Sequence, residues 1–330
     1  MQTNTLLPWQ DSTWVMLLTQ IKNQRLPHAL LLSGIKGLGK LEFAKHLAQL
    51  LLCEKGETNL AYCQNCKACH QFIANTHPDF KLLQPEENNT GIKIDQVREI
   101  IDFFNHTALQ NAYKVVIFYP AEALNSAAAN ALLKTLEEPP LNKNLLLLIS
   151  HQPSLLLPTL RSRCQQIKLN PPPRDIAKHW LSQYTDAKES FELALTLVEG
   201  APLLALAFIK ENKHTAAINL LTDLNALMLK NDDPVTIAEK WLKLKIDIGE
   251  FLSLVMLLIT QMIRYQLGVN SSLLKNDEFQ KKITVIANML NLIQLFSYLD
   301  FITEQRRSLG NKINLNSQML LESLFCRFSQ

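Results

Sequence analysis

The sequence predicts an α/β protein over its first half, a parallel sheet covered by helices on both faces, followed by an all-α second half. Three observations predict it. Short apolar runs alternate with helix-patterned segments up to about residue 170. A glycine-rich stretch, Gly34 to Gly39, lies between the first of those runs and the helix after it. Three consecutive prolines, Pro171, Pro172 and Pro173, then end the alternation, and no strand pattern follows.

The elements follow in order. Residues 29–33 are an apolar run before the glycine stretch, and residues 41–53 carry good helix formers. Residues 79–83 make a second strand. Val97, Ile100, Ile101 and Phe104 recur at helical spacing within 95–104. Residues 115–119 are a β-branched and aromatic run of the kind buried in parallel sheets. Residues 125–138 are rich in Ala and Leu, with Asn125 or Ser126 as N-cap and Pro139 and Pro140 as the stop. Residues 145–149 and 165–169 supply the last two strands. Beyond the prolines, 175–183 and 189–198 are helical, Gly200, Ala201 and Pro202 make a break, and amphipathic helices run from Lys210 to the end.

Composition bounds the function. The chain has 330 residues, 47% of them hydrophobic, enough for two or three domains with cores. Nine glycines and 7% aromatics suit a helix-rich protein. A net charge of +3 is too mild to imply nucleic-acid binding by itself. The first nine residues lack a basic segment followed by an apolar one, so no secretory signal is read there. The most apolar stretch, 251–263, is too short to span a bilayer and reads as a buried helix. These features predict a soluble cytoplasmic protein with no membrane partner, in a compartment where thiols stay reduced.

Gly34 to Leu41 come close to a phosphate loop, Gly-x-x-x-x-Gly-Lys-Ser/Thr, in the required strand-to-helix context. Gly34 and Gly39 let backbone N–H groups curl around phosphates, the helix N-terminus adds positive potential, and Lys40 reaches the terminal phosphates. The last position, where a hydroxyl holds Mg²⁺, is Leu41. The carboxylate pair that supports the metal and orients the lytic water is also missing. The strand over 115–118 runs into Tyr119 and Pro120, and Glu122 falls where a helix should begin, pointing elsewhere. Nucleotide binding is therefore doubtful, hydrolysis more so, and the glycine turn also makes sense as packing alone.

Cys53, Cys63, Cys66 and Cys69 have the spacing C-x9-C-x2-C-x2-C. Four thiolates so close suit a closed, structural Zn²⁺ site on an insertion after the first helix. An iron–sulfur cluster or four buried thiols are the alternatives. His70 and His77 are spare candidates with no vacancy to fill. Cys164 and Cys326 are isolated and read as simple apolar residues.

Together these features resemble a known family. Residues 131–140 read Ala-Leu-Leu-Lys-Thr-Leu-Glu-Glu-Pro-Pro, close to the signature helix of clamp-loader AAA+ subunits. Leu160-Arg161-Ser162-Arg163-Cys164 is similar to their Ser-Arg-Cys motif, and His28-Ala-Leu-Leu and His77-Pro-Asp79 fit as well. The set resembles the clamp-loader subunits of bacterial DNA polymerase III. The motor members, gamma or tau, carry the Thr and the Asp-Glu that this chain lacks, and the delta member lacks the cysteines and the Ser-Arg-Cys. The resemblance covers about 25–170; beyond that only length and helical character agree.

The resemblance implies an AAA+ base with a zinc insertion over 1–168 (cysteines within 53–69), a helical lid over 169–209 and a helical collar over 210–330. It implies a non-hydrolysing subunit that helps load a sliding clamp onto primed DNA, with motor (gamma or tau) and delta subunits, clamp and primer-template as partners. It gives Arg163 the role of an arginine finger on ATP bound by a neighbour; without it, Arg161 and Arg163 read as a solvated basic pair. The competing readings are an active AAA+ ATPase that uses a displaced acid such as Glu122, and a zinc-containing nucleic-acid-binding protein.

Overall fold

The computed structural model describes residues 6–86, 91–110, 113–138, 143–244, 246–269, 277–310 and 316–329. The chain divides between Pro172 and Pro173 into two compact units.

The first unit is built on five strands: β1 (Ala29–Ser33), β2 (Phe80–Leu83), β3 (Tyr113–Phe118), β4 (Lys143–Ser150) and β5 (Gln165–Lys168). Their order is β2-β3-β4-β1-β5, and every pairing is parallel. The register is continuous: Leu31 lies beside Leu148 on one side and Gln166 on the other. Strands covered on both faces need apolar residues at successive positions, which is why β1 and β4 read as unbroken apolar runs.

Successive residues point to opposite faces and define two cores. Leu30, Leu32, Ile117 and Leu147 pack with α1 (Asp11–Lys22), α2 (Lys40–Leu52) and, after the short α3 (Gly56–Asn59), α4 (Lys67–Ile73). Leu31, Val116, Phe118 and Leu148 pack with α5 (Ile94–Asn105), α6 (Ser126–Glu137) and α7 (Pro158–Arg161). The cap of α6 is as the sequence predicts: Asn125 Oδ1 accepts from the Ala128 N–H at 2.8 Å. Pro139 and Pro140 lie outside the described residues. The buried carboxylate of Asp79 accepts from the Leu109 and Gln110 N–H groups at 2.8 and 3.0 Å, while His77 Nδ1 accepts from the Asp79 N–H. His77-Pro-Asp79 thus ties the approach to β3 and has a structural job.

The second unit is helical throughout its described residues: α8 (Arg174–Leu181), α9 (Phe191–Leu197), α10 (Pro202–Lys210), α11 (Lys213–Met228), α12 (Pro234–Lys243), α13 (Ile248–Gln266), α14 (Asp277–Met289), α15 (Leu292–Gly310) and α16 (Ser317–Phe328). α11 and α12 are cross-braced by buried Asp223, which accepts from Lys240 Nζ at 2.6 Å and from Trp241 Nε1 at 2.9 Å. The apolar run at 251–263 belongs to α13, which at 19 residues is longer than the run and long enough to cross a bilayer. Half of its apolar window is buried inside the protein, Phe251, Leu252, Val255, Leu258, Ile259 and Met262 among the buried residues. Cys326 is exposed rather than part of a core, because its neighbours Leu324, Phe325 and Phe328 take the buried side of α16.

Candidate functional site

The loop after β1 has the backbone of a phosphate loop. Gly34, Gly37 and Gly39 all have positive φ, at 145°, 85° and 74°, and Gly39 is the N-cap of α2. Gly34 has a second reason to be glycine: a Cβ there would lie 2.3 Å from the Leu169 carbonyl oxygen. The loop is already engaged by its own chain. Lys40 is 2% exposed, and its Nζ donates to the Gly34 and Ile35 carbonyls at 2.6 and 2.7 Å. Trp9 Nε1 donates to the Leu38 carbonyl at 3.0 Å, and Gln10 Nε2 to the Leu38 and Gly39 carbonyls at 2.9 and 3.0 Å. Leu41, at the hydroxyl position, packs against the core on the α2 face of the sheet.

The ends of β3 and β4 bring two further groups to this loop. Glu122 lies in a single 3-10 turn, Ala121–Ala123, separate from α6, which begins at Ser126. Its Oε1 accepts from the His151 N–H at 2.9 Å. The expectation that Glu122 points elsewhere is corrected here. Burial lowers the Lys40 pKa to about 8, and the Glu122 carboxylate acts against that shift, so the two groups feel each other across the loop. The reason lies in the connection after β3, where the turn comes before the helix and aims the carboxylate back along the strand ends. His151 is held below the ordinary histidine range by burial and by Lys40, with Glu122 opposing. Tyr119 packs edge-on against the His151 ring. Leu41 brings no hydroxyl to the magnesium position, and Tyr119 and Pro120 bring no carboxylate to the end of β3.

The four cysteines converge. Their sulfurs all lie within 4.8 Å of one another, with Cys53 Sγ 3.6 Å from Cys63 Sγ and 3.9 Å from Cys66 Sγ. Cys53 ends α2 and Cys66 caps α4, where its sulfur accepts from the Cys69 N–H at 3.4 Å. Cys53 Sγ likewise accepts from the Cys63 N–H at 3.3 Å. The turn between them is tight enough that a Cβ on Gly56 would overlap the Leu50 carbonyl. Burial pushes the Cys53 and Cys69 thiols up, while the Asn65 N–H holds Cys63 at about 6. Four such groups can hold a metal ion, and a divalent cation supplies the charge that lets all four exist as thiolates together. His70 and His77 stand outside the cluster.

Arg163 is far from free. Its Nη2 is ion-paired with Glu137, and its Nη1 donates to the Thr159 carbonyl at 2.9 Å. Cys164 beside it is buried in the core beneath α6 and α7 and anchors the turn. Trp9, Gln10 and His151 carry no local signal in the sequence, and Glu137 stands out there only as part of the 131–140 stretch; each is brought to its partner by the order of the strands and the packing of the helices.

Fold and site together define a parallel α/β protein with a phosphate-loop-like turn, whose magnesium position holds a leucine, and with four clustered cysteines that could hold a metal ion. Residues 9–173 match the family described as DNA polymerase III, delta subunit, and residues 188–330 its C-terminal family. The chain belongs to this DNA polymerase III delta family. It is 35% identical over 328 residues to DNA polymerase III subunit delta' of Pseudomonas aeruginosa, covering 98% of this chain and 97% of the relative. It is 37% identical over 210 residues to the Escherichia coli K12 subunit delta', covering 63% of this chain and 62% of the relative. A DNA polymerase III gamma subunit-related protein from Thermotoga maritima is 18% identical with a TM-score of 0.44, covering 95% of this chain and 98% of that one.

Proposed function

We propose that this chain is the non-hydrolysing subunit of a DNA polymerase III clamp loader, lending Arg163 to ATP held by a neighbouring subunit. The observation that carries the first part is Leu41: the place of the Mg²⁺-binding hydroxyl is filled by a half-buried apolar side chain packed against the core. Phosphoryl transfer is catalysed almost entirely by positioning and charge neutralisation, so losing the metal anchor and the strand-end carboxylates removes most of the machinery. Arg163 suits the second part because a guanidinium is always charged and grips phosphate oxygens with two donors. The partners on this reading are motor subunits, a delta subunit, the clamp and primer-template DNA, and the setting is the cytoplasm.

The metal in the cysteine cluster is Zn²⁺ on this reading. A tetrahedral Zn–S distance of about 2.3 Å sets sulfur–sulfur edges of roughly 3.8 Å. Two of the sulfur–sulfur separations, 3.6 and 3.9 Å, bracket that value, and all lie within 4.8 Å. With four sulfurs the site has no open position and a structural role. The domains proposed are the base over 1–168, a lid over 169–209 and a collar over 210–330.

The purified chain is expected to show no ATP turnover with or without primed DNA and clamp, and steady turnover would reject the proposal. In the reconstituted complex, Arg163→Ala is expected to depress turnover at the adjacent site by at least about tenfold, since fingers of this kind are worth on the order of 10³–10⁵ in GTPases. A second reading has one observation in its favour: Glu122 is in electrostatic reach of Lys40. If the chain hydrolyses ATP with this displaced acid, a magnesium-dependent activity of the isolated protein would vanish in Glu122→Gln.

A further inference from the structure

Arg163 is held by acceptors of its own chain at both terminal nitrogens. Glu137 takes Nη2, and the Thr159 carbonyl takes Nη1 at 2.9 Å. These are the nitrogens a guanidinium presents to phosphate oxygens, so internal and external acceptors compete for the same donors. Neither internal acceptor is a chance neighbour. Glu137 is the last residue of α6 and Thr159 lies within α7. The two helices share a core through Leu132, Leu136 and Leu160, and Cys164 fixes the backbone next to the arginine in that same core. The pair is nonetheless open to solvent: the Arg163 side chain is 34% exposed and that of Glu137 49%. A contact so exposed is weak and readily exchanged.

We propose that Glu137 is a positioning residue, an internal anion that keeps Arg163 folded along its own chain until a phosphate oxygen from another subunit displaces the carboxylate. This rests on the reading of Arg163 as acting on a neighbour's triphosphate. It gives the competition a direction: weakening the internal acceptor favours the external one. Exposed pairs are worth at most about fivefold in an equilibrium, which sets the size of the effect.

The test uses the reconstituted complex of this chain with its motor and delta subunits, assayed for ATP turnover over a range of ATP concentrations. Wild type is compared with Glu137→Gln, Glu137→Asp, Arg163→Ala and the double variant, each first checked for an unchanged thermal midpoint. Glu137→Gln is expected to lower the half-saturating ATP concentration by about two- to fivefold, with Glu137→Asp restoring it. In the double variant that shift is expected to be gone. If Glu137→Gln instead lowers kcat, or leaves half-saturation where it was, the carboxylate does not restrain the arginine and the inference fails. It fails too if the shift survives in the Arg163→Ala background. Should Arg163→Ala alone leave turnover unchanged, the assignment of Arg163 falls first and the role of Glu137 with it.

Discussion

Lys40 keeps its place in the motif and turns its ammonium onto the loop itself. In a working phosphate loop the ammonium is neutralised by phosphate; here it is turned onto two loop carbonyls and shielded from water. Burial lowers its pKa from 10.5 to about 8. The native state therefore binds fewer protons than the unfolded state between those two values, and stability rises with pH across that window. Below pH 8 the cost of burying the charge is present in full; above about 10.5 it is gone. Replacing Lys40 by Met removes this dependence. The stability difference, variant minus wild type, is expected to be more favourable to the variant at pH 7 than at pH 10, by up to about 3 kcal/mol. Urea midpoints at the two pH values check this, and equal differences at both would mean that the ammonium is solvated after all. Glu122 is the same lesson from the other side, since a residue outside the motif acts as a countercharge to Lys40.

At the scale of elements, the second unit depends on contacts between helices that local pattern does not announce. Asp223 is buried on α11, and its carboxylate carries Lys240 Nζ and Trp241 Nε1 of α12. Truncation to Ala leaves the indole N–H without its acceptor in the core, a cost of about 1–3 kcal/mol. Asp223→Asn keeps an acceptor for the indole and gives up only the pair with Lys240, whose side chain is 53% exposed, so its cost is expected to be the smaller. Chemical denaturation of the two variants tests the order, and an Asn variant as unstable as Ala would assign the stabilisation to the ion pair instead. The cysteine module is likewise an inter-element device. It ties the end of α2 to the start of α4 through Cys53, Cys66 and Cys69.

For the whole molecule, metal removal separates the two units. With Zn²⁺ bound, one metal per chain is expected by elemental analysis, lost in Cys66→Ser. Because binding energy at a structural site is folding energy, chelation is expected to lower the calorimetric transition of the sheet unit and leave that of the helical unit in place. Metal-free protein of unchanged stability would contradict the assignment. How much of this architecture the sequence shows depends on the range of the forces involved. The sheet is legible because strands buried on both faces must be apolar at every position, as in 29–33 and 145–149. The cysteines are legible because their spacing is local. α1 escapes notice because Trp14, Val15, Met16, Leu17 and Leu18 are consecutive and define no face, although only Leu17 and Ile21 are buried. Glu122 with His151, and Gln10 with the glycine loop, are 28 or 29 residues apart and are joined only by topology. The indole contacts just described have a practical corollary. Of the four tryptophans, Trp9 and Trp14 belong to the sheet unit and Trp180 and Trp241 to the helical one. With Trp9 bonded to Leu38 and Trp241 to Asp223, the protein carries an intrinsic fluorophore at each of its two most informative places. Single-tryptophan versions would let the glycine turn and the helical brace be watched separately by emission colour alone.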